Sequence, residues 1–143
     1  MTDGRTFEDA FNLLCGKLIG EGIHRKVFEC RIASQYVVKV EQELDWRCFA
    51  NVNEMRFWTD HQYYRPVARW LAPCFQLSPD GRILLQHRAT PVADKSELPK
   101  RLPSFLTDIK PENFGWIDKQ LVCVDYALVN EAPSTRLRKA EWD

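Results

Sequence analysis

Fold and chemistry turn on Thr107-Asp108-Ile109-Lys110-Pro111-Glu112-Asn113, followed at a short interval by Cys123-Val124-Asp125-Tyr126-Ala127. The first piece gathers a carboxylate, an ammonium and a side-chain amide around a proline. The second ends a short apolar run on a carboxylate. Between them, Phe114–Ile117 and Leu121–Val124 flank Asp118-Lys119-Gln120 and predict a small β-hairpin. Each polar residue alone has an ordinary explanation: Asp108 as a turn cap, Asn113 as a turn residue, Asp125 as a charge at a strand end.

Working back toward the N-terminus, Cys74–Leu77 and Ile83–His87 flank Ser78-Pro79-Asp80-Gly81, a strong hairpin signal because Asp-Gly supplies the positive φ of tight turns. A helix is expected from Asp45 to about His61, with Trp46, Phe49, Ala50, Asn53, Phe57 and Trp58 at helical spacing and Glu54 on the same stripe. Before it, Lys17–Gly22, Lys26–Ala33 and Tyr36–Glu41 read as three strands joined by short loops, an antiparallel meander. Thr6 is placed to cap a first helix running to about Cys15, with Phe7, Phe11 and Leu14 on one stripe. The stretch from Arg88 to Leu106 is polar and carries Pro91, Pro99 and Pro103, with one short helix expected around Lys95–Leu102. A short charged helix is expected after Ser134.

The 143 residues suit one domain with one real core, too short for two full lobes. Lys plus Arg and Asp plus Glu are 20 each, a balance that argues against nucleic acid as a partner. The basic cluster Arg136-Leu137-Arg138-Lys139 reads as a solvated helix end. No apolar run spans a membrane, and Met1-Thr2-Asp3-Gly4-Arg5 lacks the features of a signal peptide, so a cytoplasmic location is expected. Five cysteines, at 15, 30, 48, 74 and 123, form no Cys-x-x-Cys pair and read as buried free thiols. His24, His61 and His87 share no metal-ligand spacing.

The deciding stretch resembles the protein kinase superfamily, whose catalytic loop reads Asp-Leu-Lys-Pro-Glu-Asn and whose metal-binding Asp follows the next hairpin. Five of the six loop residues match, with Ile109 in place of Leu. Upstream, Gly20, Gly22 and Val27 resemble the glycine-rich loop, with Arg25 where the third glycine stands. Val37-Val38-Lys39 resembles the strand motif ending in lysine, and Glu54 the helix glutamate that pairs with it. Leu85 and Gln86-His87-Arg88 fall where the family has its gatekeeper and hinge. The resemblance runs over residues 17–128. It implies an α+β kinase-like fold: an antiparallel sheet with one packed helix over about 1–87, then a much reduced catalytic-loop region over 88–143, in a single truncated domain.

The same resemblance implies ATP and Mg²⁺ as cofactors. Adenine would lie at Gln86–Arg88 with Val27, Val37 and Leu85, and the phosphates at Gly20, Gly22 and Lys39, with Val124 behind them. Elementary chemistry agrees. Phosphoryl transfer needs charge neutralisation and positioning more than covalent help. Mg²⁺ takes hard oxygen ligands, here Asn113 and Asp125. Asp108 would orient or accept the proton of the attacking hydroxyl. Lys110 would neutralise the transferring group. Lys39 lies in a strand expected to be buried and Glu54 on an apolar helix face, so each lowers the cost of burying the other.

Three departures bear on function. Leu106-Thr107 replaces the family's His-Arg, so control through a phosphorylated activation loop is not expected. About twenty residues separate the hinge from Asp108, where the family fits two helices. Ala127 replaces a glycine, and no Ala-Pro-Glu comes after it. Two functions are consistent with this pattern: a minimal ATP- and Mg²⁺-dependent kinase acting on a protein or small-molecule acceptor, or a weak or inactive pseudokinase-type module that inhibits or recruits a protein. A homodimer stays open as a way to complete such a fold.

Overall fold

A computed structural model describes residues 4–42, 48–129 and 132–143. The chain is α+β with antiparallel sheets and divides into two compact units, Met1–Met55 with Cys74–Arg88, and Arg56–Pro73 with Ala89–Asp143. The division differs from a single cut near residue 87, because residues 56–73 go with the C-terminal unit.

The first unit holds helix α1 (Gly4–Leu14) and strands β1 (Cys15–Glu21), β2 (Arg25–Cys30), β3 (Tyr36–Glu41), β4 (Cys74–Leu77) and β5 (Ile83–His87), in the sheet order β1-β2-β3-β5-β4. The β-branched run of Tyr36-Val37-Val38-Lys39-Val40 suits a central strand, and β3 is buried from Val37 through Glu41. Its register sets Val27 opposite Lys39 on one side and Leu84 opposite Lys39 on the other. On the face covered by α1, Cys15, Cys30, Val38, Val40 and Ile83 form a core with Phe7, Phe11, Leu14 and Phe28. Helix α1 begins at Gly4, so Thr6 lies within it rather than capping it. It ends at Leu14 because Cys15 already pairs with Cys30 in the sheet.

Helix α2 is described over Ala50–His61. The expected start at Asp45, with Trp46, lies outside the described residues. Ala50, Glu54 and Phe57 make its buried stripe, joined by Asn51, whereas Phe49 is exposed and precedes the helix with a φ of 57°.

The second unit holds α3 (Arg65–Ala68), β6 (Thr90–Pro91), β7 (Arg101–Pro103), β8 (Phe114–Ile117), β9 (Gln120–Cys123) and β10 (Leu137–Lys139). Strands β6, β8 and β9 form one sheet, and β7 pairs with β10. Two expectations are corrected here. The segment after Ser134 is a strand, not a helix, because Leu137–Lys139 satisfies the ladder of β7. In place of a helix, the stretch Lys95–Leu102 holds a 3-10 turn, Lys95–Glu97, capped by Asp94, which accepts from Ser96 N at 2.9 Å, and then the first two residues of β7. Pro99 and Pro103 remove the backbone donors a longer helix would need.

The β8–β9 hairpin closes through a two-residue turn, since Ile117 pairs with Gln120. Asp118 and Lys119 both have positive φ, 47° and 68°, as a type I′ turn requires. Gly115 is demanded by packing: a Cβ there would stand 2.7 Å from Ala89 Cβ and 2.8 Å from Thr90 O. The backbone of Trp70–Ala72 is tied to β9, with Cys123 N donating to Trp70 O at 2.7 Å and Ala72 N to Cys123 O at 3.0 Å. Tyr126, buried, donates its hydroxyl to Ala72 O at 2.7 Å. Among the described residues, no helix is long and apolar enough to cross a membrane.

Candidate functional site

In the first unit, Lys39 and Glu54 meet. Lys39 Nζ lies 2.5 Å from Glu54 Oε1, and both side chains are buried. β3 supplies the lysine from the sheet, and the Ala50–Glu54–Phe57 stripe of α2 turns the carboxylate toward it.

Glu54 has further partners that sequence reasoning did not find. Arg25, at the start of β2, grips it with both terminal nitrogens, at 3.0 Å to Oε1 and 3.2 Å to Oε2. Gln86 Nε2 donates to Oε1 at 3.3 Å. Asn51 Oδ1 accepts from Arg25 at 3.2 Å, while its Nδ2 donates to Lys39 O at 3.1 Å. Burial alone would raise the Glu54 pKa. The charges of Arg25 and then Lys39, with their hydrogen bonds, outweigh it and hold the carboxyl at about 2. No local signal marks Arg25: it opens the strand that leaves the Gly-x-Gly turn, and its carboxylate partner lies 29 positions further along the chain.

The other residues expected to contact nucleotide in this unit have the following surroundings. Gly20 sits in β1 opposite Val27, and an added Cβ would meet Val27 at an ordinary 3.6 Å. Gly22 opens a tight turn in which its N–H donates to Arg25 O at 2.8 Å. That turn is strapped to the end of β3: the Gln42 side-chain amide donates to Gly22 O and Ile23 O, and Gln42 N donates to His24 O at 2.8 Å. Val37 is buried, and Val27 and Leu85 are half-buried. Gln86 is fully buried. The His87 ring meets Tyr36 edge-on, with centroids 4.9 Å apart. Arg88 N donates to Gln35 O at 2.8 Å, and its guanidinium lies 3.5 Å from Glu29.

The second unit brings its own set together. The deciding stretch runs as an extended segment to Lys110, then a 3-10 turn over Pro111–Asn113. The β8–β9 hairpin returns the chain so that Val124 N donates to Asn113 O at 2.8 Å. Asn113 is buried and its Nδ2 donates to Asp108 O at 3.1 Å. The amide is thereby oriented, with a hydrogen-bond donor committed and its oxygen directed away from that bond. Lys110 Nζ stands 3.8 Å from Asp108 Oδ2, with the Asp108 side chain 69% exposed and that of Lys110 45%. Asp108 and Asp125 line one pocket with Leu106, Thr107, Phe114, Cys123, Tyr126, Leu128 and Val129. Its volume is about 70 Å³, room for a few water-sized groups. Asp108 and Asp125 are both exposed and the rest of the lining is mostly apolar; carboxylate oxygens at such a rim can bind a hydrated cation or a hydroxyl.

No protein-family model matches the chain, and no curated protein matches it.

What the chain can do chemically therefore rests on these two sets. The first is a buried network of Arg25, Lys39 and Glu54 with Asn51 and Gln86. The second is a pair of carboxylates at a pocket mouth with a lysine and an oriented amide. Among the described residues no cluster of three His, Cys, Asp or Glu has a metal-ligand arrangement. A metal held by the second set would therefore draw on the Asn113 oxygen and on ligands brought by the substrate, as Mg²⁺ sites commonly do.

Proposed function

We propose that this protein has a kinase-like fold, binds ATP with Mg²⁺, and transfers its terminal phosphoryl group to a hydroxyl acceptor. The observation that carries this reading is the gathering in the second unit. Asp108 and Asp125, 17 positions apart in sequence, open into the same pocket, and Asn113 is tied by hydrogen bonds to the backbone at Asp108 and Val124. In this reading Asp108 orients the attacking hydroxyl, Lys110 neutralises charge on the moving group, and Asn113 and Asp125 hold Mg²⁺. The ion pair of Lys39 and Glu54 supports the reading from the first unit, because a lysine held by a carboxylate is a placed point charge for phosphate oxygens.

One observation favours a second reading, a kinase-like binding module with weak or no turnover. The Gly22 N–H, a donor that a phosphate-cradling loop would offer, is committed to Arg25 O, and Gln42 straps the same turn. Incubation with γ-labelled ATP and Mg²⁺ separates the two. Label in protein or in free phosphate that disappears in Asp108→Ala and Asp125→Ala supports the enzyme. Equal signal in wild type and both variants excludes it.

A further inference from the structure

Cys15 and Cys30 are direct cross-strand partners in the β1–β2 pairing. The next hydrogen bond out, Arg31 N to Leu14 O at 2.8 Å, fixes which kind of pair they are. It makes Leu14 and Arg31 the hydrogen-bonded position and leaves the cysteines at the non-hydrogen-bonded one. At such positions Cα atoms lie about 4.5 Å apart and side chains approach most closely. That separation falls inside the roughly 4.4–6.8 Å range that a disulfide spans. The strands are also drawn tightly together here: a Cβ added at the neighbouring Gly16 would stand 3.2 Å from Glu29 O. Both thiols point to one face and belong to the same core cluster beneath α1. Both are free.

We propose that Cys15 and Cys30 are a redox modification site, closing to an intramolecular cross-strand disulfide when the protein meets a low-molecular-weight disulfide. The chemistry balances as two exchanges. One cysteine thiolate attacks a sulfur of the small disulfide and expels one small thiolate, giving a mixed disulfide. The second cysteine, as thiolate, attacks the protein sulfur of that adduct and expels the other small thiolate. The protein loses two thiol hydrogens and gains one S–S bond, and the small disulfide is reduced to two thiols.

Burial, with a smaller contribution from Cys30 beside it, pushes the Cys15 thiol up to about 11. Few molecules carry the thiolate at neutral pH, so closure is slow there and quickens as the pH rises. The bond would tie β1 to β2 at the end of the hairpin away from the Gly22 turn. None of this depends on nucleotide binding.

The test uses the whole chain, incubated under native conditions at pH 8.5 with oxidised glutathione. It is then blocked with an alkylating agent, unfolded and digested with trypsin. Cleavage after Arg5, Lys17, Lys26 and Arg31 places the two cysteines in separate peptides, Thr6–Lys17 and Val27–Arg31. The expected result is those two peptides joined by a reducible bond in most of the protein. Cys15→Ala should leave Cys30 free or glutathionylated, and Cys30→Ala the converse. Cysteines that stay alkylatable, carry separate glutathione adducts, or pair with Cys48, Cys74 or Cys123 overturn the proposal. The wild-type map decides the matter even if a variant folds poorly.

Discussion

Replacing Glu54 with Gln keeps the shape of the side chain and removes its charge, at a position where three donors converge. Glu54 is fully buried and receives Arg25 at 3.0 and 3.2 Å, Lys39 at 2.5 Å and Gln86 at 3.3 Å. A glutamine offers one acceptor oxygen in place of two. Its amide nitrogen must face either the Arg25 fork or the Lys39 ammonium, donor against donor. Two buried cations then lose the one carboxylate that both are bonded to in these contacts. Breaking a buried pair from one side costs roughly 3–5 kcal/mol. That is a large part of the roughly 5–15 kcal/mol that holds an ordinary domain together. The assay is urea unfolding at pH 7, read as a fall in midpoint at unchanged slope.

The pH dependence gives an internal control. The Glu54 carboxyl is lowered from its ordinary 4.5 to about 2 in the folded protein, so the unfolded chain takes up its proton first as the pH falls. Its contribution is complete above about 4.5 and drains away as the pH drops toward about 2. The gap between wild type and Glu54→Gln should narrow across that window. A loss at pH 7 below about 1 kcal/mol, against the several expected for a broken buried pair, or a gap that widens on acidification, would refute the network.

Other substitutions probe other joints. Gly115→Ala should destabilise the protein by roughly 1–3 kcal/mol through overlap with Ala89 and Thr90, as overpacking does. Gly20→Ala, with its nearest neighbour at 3.6 Å, should shift the midpoint little; equal losses in both would contradict the packing described. Tyr126→Phe leaves the Ala72 carbonyl without the hydroxyl that donates at 2.7 Å, and should cost roughly 1–2 kcal/mol in urea unfolding. Asn113→Ala removes the clamp on the Asp108 carbonyl, so hydrogen exchange should quicken at Lys110, whose N–H donates to Asp108 O at 3.2 Å, while β3 amides keep their protection.

Much of the fold was legible because its signals are local. Strand β3 was read to both its ends from one β-branched run, and the β4–β5 hairpin from Asp80-Gly81, whose glycine adopts a φ of 75°. The β8–β9 hairpin was read too, but with its second strand one residue late, because Lys119 takes a positive φ that its side chain does not advertise. What escaped was non-local. Strand β10 is short and fully exposed, and only its pairing with β7 makes it a strand. The proline-spaced stretch before Leu106 carries no periodicity from which β6 and β7 could be read. At the candidate site, Lys39 and Glu54 could be paired in advance because each needs the other once buried. Arg25 could not, since nothing near it in sequence says that a residue beside a turn reaches a carboxylate 29 positions away.

Thermal unfolding with ATP and Mg²⁺ present reads the proposed binding, and whether Lys39 and Asp125 are each needed for it. A ligand at a hundred times its dissociation constant adds about 2.7 kcal/mol, which amounts to several degrees in a chain of this size. That rise is expected in wild type with ATP and Mg²⁺ together, and its loss in both Lys39→Ala and Asp125→Ala. A melting temperature unmoved by saturating ATP and Mg²⁺, or a rise that both variants retain, would contradict the proposal.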